Sequence, residues 1–153
     1  MIIDLEIKNY RSYEDQDPGY IRLTNGLTSI VGPNNAGKSS LLRLLYELRG
    51  AFKLLRNPSN WISLVRGQET TMEWPAHITE FTEPFCRFNN RDIKIKITRS
   101  DLSNNGQEPQ LPTSFQIVIK RSTPRTFAVA IDGLDAVPNA EIQDNFVTKG
   151  GAK

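Results

Sequence analysis

The sequence holds one cysteine and one histidine in 153 residues. Each scarcity excludes something. A single thiol, Cys86, closes no intrachain disulfide, which suits a reducing, cytoplasmic setting and a small buried side chain. A single imidazole, His77, with no second histidine or cysteine cluster, makes no metal site and reads as a loop or surface residue. An excess of charge is lacking too. Nineteen Lys and Arg against seventeen Asp and Glu leave +2 and a pI of about 8.8, too mild to argue nucleic-acid binding without a focused patch. No apolar run approaches membrane-spanning length. The opening MIIDLEIKNYRS alternates charge and lacks the apolar centre of a signal peptide. No repeat or low-complexity tract occurs. The length suits one domain, long enough to bury a core.

What is present begins with alternation. In residues 2–8, Ile3, Leu5 and Ile7 point one way and Asp4, Glu6 and Lys8 the other, as on a half-buried strand. The spacing predicts a second strand at 20–23 and, after the turn-forming Thr24–Gly26, a third and more apolar strand at 27–31. Beyond Gly37 the period lengthens. Leu41, Leu45, Leu48, Phe52 and Leu55 recur as on one helix face, with Arg43, Arg49, Lys53 and Arg56 favourable toward its C-terminal end. Gly50 either ends this helix or sits inside it at a cost of about 1 kcal/mol. Residues 56–60 stop it. Residues 61–67 suit a short helix or strand, and two prolines break any long element before 90. Strand signal returns at 92–100, then twice more around a Ser122–Pro124 turn, with a loop at 101–112. The tail after Ala136 has no clear period.

Between strand and helix stands Gly32-x-x-x-x-Gly37-Lys38-Ser39, a complete P-loop. Polyphosphate must be met by several converging donors. Glycines let the backbone N–H groups of Asn34 to Ser39 point into one nest, and a helix starting near Lys38 aims its positive end at the same anion. Lys38 supplies a mobile full charge, the Ser39 hydroxyl suits Mg²⁺, and Ser40 reaches the α-phosphate. The bland alternative is an ordinary strand–helix turn with a solvated lysine.

The loop GPNNAGKSS resembles that of ABC-type ATPases of the SMC, RecF and OLD-like group, which carry a G-x-N-x-x-G-K-S pattern. IIDLEIKNYRSYED is similar to that group's opening strand and N-F-R-S-F segment, with Tyr10 and Tyr13 in the aromatic places. IRLTNGLTSIVG resembles the strands leading into its P-loop, and RTFAVAIDGLDAV a later strand and turn. The resemblance is strong over 1–50 and faint after 90. It implies an α/β fold: the N-terminal lobe of a P-loop NTPase of the ABC-head type, with strand–P-loop–helix and a largely antiparallel sheet. Residues 1–56 would hold the strands, P-loop and first helix, 57–91 an irregular or helical insertion, and 92–138 antiparallel strands. It further implies ATP and Mg²⁺ at Gly32, Pro33, Asn34, Asn35, Ala36, Gly37, Lys38, Ser39 and Ser40, with Ser39 on the metal, Asn34 near the γ-phosphate, and Arg11 and Ser12 close by. Tyr10 reads as a core or edge aromatic rather than a base-stacking platform.

Hydrolysis in that group needs more. No L-S-G-G signature and no apolar strand ending in Asp-Glu occurs. The strand ending at Asp132 is a near match to a Walker B, but Gly133 follows it, and Asp-Gly beside Arg121 and Arg125 suits a turn. The absent N-K-x-D excludes a GTPase, and antiparallel strands after the first helix argue against a small-molecule kinase. The expectation is therefore the N-terminal 1–153 of a longer head, its C-terminal half missing, binding ATP weakly and turning it over negligibly. In the full chain, heads would pair as a homodimer or higher oligomer and switch with ATP in DNA repair, chromosome organisation or anti-phage defence. The alternative is an ATP-dependent scaffold holding a nuclease or other effector, with little turnover. DNA is a further candidate partner, through Lys94 and Lys96 with Lys120 and Arg121, against the plainer reading of a solvated sheet face. Trp61 and Trp74 read as packing residues. No membrane association is expected.

Overall fold

The computed structural model describes residues 2–26, 28–30, 37–99, 114–131, 140–143 and 146–149. Strand β1 (Ile3–Lys8) is central because its period-two pattern gives one apolar face and two hydrogen-bonding edges. It pairs antiparallel with β2 (Gly19–Leu23) on one side and with β4 (Ile93–Arg99) on the other. Beyond β4 come β5 (Ser114–Ile119), β6 (Thr126–Ile131) and the two-residue β3 (Thr70–Thr71), giving the order β2-β1-β4-β5-β6-β3, all antiparallel. Register keeps like with like. Leu5 stands opposite Ile21 and Ile97, Ile7 opposite Ile95, Ile95 opposite Ile117, and Ile117 opposite Val129. A slip of one residue would turn this whole face to water.

Three helices cover that face. They are α1 (Lys38–Glu47), α2 (Arg49–Leu55) and α3 (Pro58–Val65). Leu41, Leu44, Leu48, Ala51, Leu55 and Leu64 join Leu5, Ile7, Ile95, Ile117 and Phe127 in one buried cluster. Fully burying one such side chain stabilises the fold by about 1.5–3 kcal/mol, so this cluster decides how the layers stack. The buried stripe runs 41, 44, 48, 51, 55. Leu45 and Phe52, expected on it, are only half buried.

Two expectations change. The strand expected at 27–31, which would lead into the P-loop, is not formed at Thr28–Ile30. A strand exists only by pairing, and among the described residues no strand lies along the free edge of β2 to receive it. Residues 56–60 halt α2, as expected, and also start a further helix. Asn57 caps a new one, its side-chain oxygen accepting from Ser59 N–H at 3.0 Å with Pro58 in the first turn. Gly50 lies inside α2, where a Cβ would stand 2.6 Å from the Glu73 carbonyl oxygen. Trp61 meets Phe115 edge to face at 5.1 Å, and Trp74 donates to the Pro124 carbonyl at 2.6 Å. The tail expected to lack a period contains a hairpin, β7 (Ala140–Gln143) with β8 (Phe146–Lys149).

Candidate functional site

The site grows from the corner that ends β1. Asn9 and Arg11 both have positive φ, 59° and 51°, which reverses the chain sharply. Asparagine tolerates this conformation and arginine rarely adopts it, so Arg11 must be held there by its surroundings. Asn9 is fully buried and its amide is satisfied on both sides. Nδ2 donates to Asp15 Oδ1 and the Asp92 carbonyl, both at 3.0 Å, and Oδ1 accepts from Asn89 at 3.0 Å. The backbone is stitched to the 84–86 segment, with Arg11 N–H donating to Pro84 and Cys86 N–H to Asn9, both at 2.9 Å.

Side chains of this corner reach both ends of α1. At its C-terminal end Glu47 is buried, with a side chain 0% exposed. Tyr10 donates its hydroxyl to Glu47 Oε2 at 2.7 Å, and Arg11 donates to Glu47 Oε1 at 2.5 Å. Arg11 also donates to the Tyr10 hydroxyl at 3.1 Å and pairs with Glu83 at 3.2 Å. Burial opposes charge on Arg11, but the hydrogen bonds to Tyr10 and Glu47 outweigh it and raise its pKa. Burial, then the Glu47 carboxylate, pushes the Tyr10 phenol up. At the N-terminal end, the Tyr13 hydroxyl donates to the Gly37 carbonyl at 2.8 Å.

Gly37 is the N-cap of α1, with φ 76°, and the helix has neither a side-chain cap nor an acidic residue in its first turn. It opens instead on Lys38 and closes on Glu47. Both charges sit at the wrong ends for a helix by itself, where acids belong at the start and bases at the end. Arg11 answers the second misplacement. The first puts a lysine at the positive mouth of the helix, an arrangement suited to an anion. Ser39 is exposed and Ser40 half-buried in that first turn. A serine hydroxyl is a hard oxygen donor and fits Mg²⁺ shared with phosphate oxygens. No group of three His, Cys, Asp or Glu that could hold a metal ion occurs among the described residues.

The expected site residues are thus placed as follows. Gly37, Lys38, Ser39 and Ser40 stand together at the start of α1, while Gly32, Pro33, Asn34, Asn35 and Ala36 lie outside the described residues, as does Asp132. Arg11 is turned to Glu47 and Glu83, and Ser12 is exposed. His77 is half exposed, stacked on Tyr46 at 5.6 Å with Nε2 3.5 Å from Glu47. Cys86 is buried. The sheet face bearing Lys94 and Lys96 also carries Asp4, Glu6 and Lys8, with Glu6 opposite Lys96, so its charges are mixed. Lys120 pairs with Glu69, and Arg121 donates to the Cys86 and Asn89 carbonyls at 3.1 and 3.3 Å. Glu47 and the contact of Tyr13 with Gly37 were not legible as site features. For Glu47 a signal exists: it lies three residues after Leu44 and four before Ala51, on the buried stripe.

Comparisons with known proteins bear on the family. The model of the AAA ATPase domain family matches residues 1–122. An OLD nuclease of Thermus scotoductus is 29% identical over 124 residues, which is 74% of this chain and 22% of that protein. The chain thus spans about a fifth of the length of that relative. A solved structure from work on ATP-driven dimerization and DNA-stimulated activation of SMC ATPases overlays with a TM-score of 0.46 at 17% identity, covering 84% of this chain and 68% of the other. No helix among the described residues is long and apolar enough to cross a membrane. The chain belongs to the AAA ATPase domain family.

Proposed function

We propose that residues 32–40 hold the triphosphate of MgATP, with Lys38 on the β- and γ-phosphates and Ser39 on the metal. The observation that carries this reading is the opening of α1: a left-handed glycine, no side-chain cap, no acid in the first turn, and a lysine at the first helical position. Such a terminus destabilises an isolated helix and is stabilised by a bound polyanion. The chain acts as the N-terminal lobe of an ABC-type head, residues 1–56 carrying the nucleotide loop and 92–138 extending the sheet. A complementary lobe supplies the Walker B and signature residues. Two heads close around ATP and reopen after hydrolysis, in DNA-linked work. The likeness to an OLD nuclease favours a setting in which a nuclease is the effector.

Titration calorimetry with MgATP tests the site. Wild type is expected to bind, and Lys38→Ala to lose binding while melting as wild type does. Equal affinity of the two proteins would refute the assignment.

A further inference from the structure

We propose that Tyr13 is a positioning residue for the triphosphate site, setting the direction of the Lys38 backbone N–H through its hydrogen bond to the Gly37 carbonyl. This rests on the MgATP reading above and adds to it a residue from a different element. The geometry is direct. The Gly37 carbonyl accepts from the Tyr13 hydroxyl at 2.8 Å and from Leu41 N–H, the first bond of α1, at 3.1 Å. In a trans peptide the carbonyl of one residue and the N–H of the next lie in one plane and point in opposite directions. Holding the Gly37 oxygen between the Tyr13 hydroxyl and Leu41 N–H therefore aims the Lys38 N–H out of the helix mouth, toward an anion there.

Glycine needs this help more than other residues, because its backbone is the least restricted and the 37–38 peptide plane is the easiest to rotate. The ring also fixes which residue fits. A Cβ on residue 37 would stand 2.4 Å from the Tyr13 hydroxyl oxygen, in a conformation that already strains any L side chain. The ring also lies close against a second glycine. A Cβ on Gly19 of β2 would lie 2.9 Å from it, so bare backbone there forms its seat. Its main-chain N–H donates to the Tyr10 carbonyl at 2.9 Å, tying it to the buried corner. Tyr13 thus transmits the position of the sheet to the phosphate-binding turn.

The test is MgATP titration calorimetry and thermal melting of wild type, Tyr13→Phe, and the protein with 3,5-difluorotyrosine at position 13, with Lys38→Ala and Tyr20→Phe as references. Tyr20 carries an exposed hydroxyl bonded to Glu6 at 3.1 Å. Loss of one hydrogen bond is expected to raise the MgATP Kd about fivefold in Tyr13→Phe. Titrated in mildly acidic buffer, where it keeps its proton, the fluorinated phenol is a stronger donor of nearly the same shape and is expected to lower it relative to wild type in the same buffer, with Tyr20→Phe leaving it unchanged. A ring that only packed would give Phe and difluorotyrosine the affinity of wild type, and that result overturns the proposal. If Tyr13→Phe does not fold, the fluorinated protein decides alone: tighter binding supports the proposal and unchanged binding overturns it. If wild type binds no MgATP, or Lys38→Ala binds it equally well, the reading of the site fails, and this inference with it.

Discussion

Glu47→Gln is the substitution that most directly probes the corner at the end of β1. The carboxylate is fully buried and accepts from Tyr10 at 2.7 Å and Arg11 at 2.5 Å. Glutamine has the same shape but no charge, and only one of its two terminal atoms accepts. Its amide nitrogen must therefore confront either the Tyr10 hydroxyl or the Arg11 guanidinium, both donors here. Arg11, whose side chain is 14% exposed, keeps only Glu83 as a carboxylate partner. Breaking a buried pair in this way costs about 3 kcal/mol, which lowers the melting temperature of a domain this long by about 6–12 °C. Glu83→Gln is the matched control. Its side chain is 35% exposed, so the loss should stay below about 1 kcal/mol. Urea and thermal melts of the two variants settle the matter. Removing both buried charges, in Arg11→Met with Glu47→Leu, should recover much of the loss, because the cost lies in a stranded charge. A Glu47→Gln protein melting within about 2 °C of wild type, less than the shift a kilocalorie should give, would refute this reasoning.

Three other outcomes follow from the structure. Gly50→Ala, stabilising by about 1 kcal/mol in an open helix, should instead destabilise by about 2 kcal/mol, because its Cβ would press on the Glu73 carbonyl oxygen at 2.6 Å; a denaturant melt reads the sign. The hydrogen bond from Arg91, with a further one from Asn9, holds the Asp15 carboxyl below its ordinary value of 3.8. The folded pKa lies below the unfolded one, so this contribution is present above about pH 4 and lost as pH falls through the folded pKa. Wild type and Asp15→Asn should accordingly differ in melting temperature at neutral pH and converge in strong acid. Ile95→Ala, at the fully buried centre of β4, should cost about 2–5 kcal/mol, measured by the same melts.

Where a pattern has a strict period, the residues predicted the structure well. β1 and β4 follow from alternation of Ile or Leu with charged neighbours, the hairpin β5–β6 from two strand-like runs around the Ser122–Pro124 turn, and the start of α1 at Lys38 from the glycine and lysine spacing. What failed to show depends on contacts between distant segments. The stripe 41-44-48-51-55 differs from 41-45-48-52-55 by a small rotation of the helix, and the sequence alone does not say which rotation the sheet below accepts. Asn9 and Arg11 in left-handed conformations, and Glu47 as the partner of Arg11, arise from a corner whose members are up to 83 positions apart, Asp92 being the far one. The pairing of β7 with β8 did not show because four residues a side carry too little periodicity to register.

The reversed polarity of α1 also bears on the order in which the chain assembles. A peptide spanning 37–48 would start with a cation and finish with an anion, against its own dipole, and at this length would scarcely nucleate in water. The helix therefore has to wait for Arg11 to be delivered by a completed β1–β4 pairing. Substitutions in those strands should slow refolding, whereas those in α1 should chiefly hasten unfolding. The first turn of α1 becomes organised only after the sheet beneath it exists.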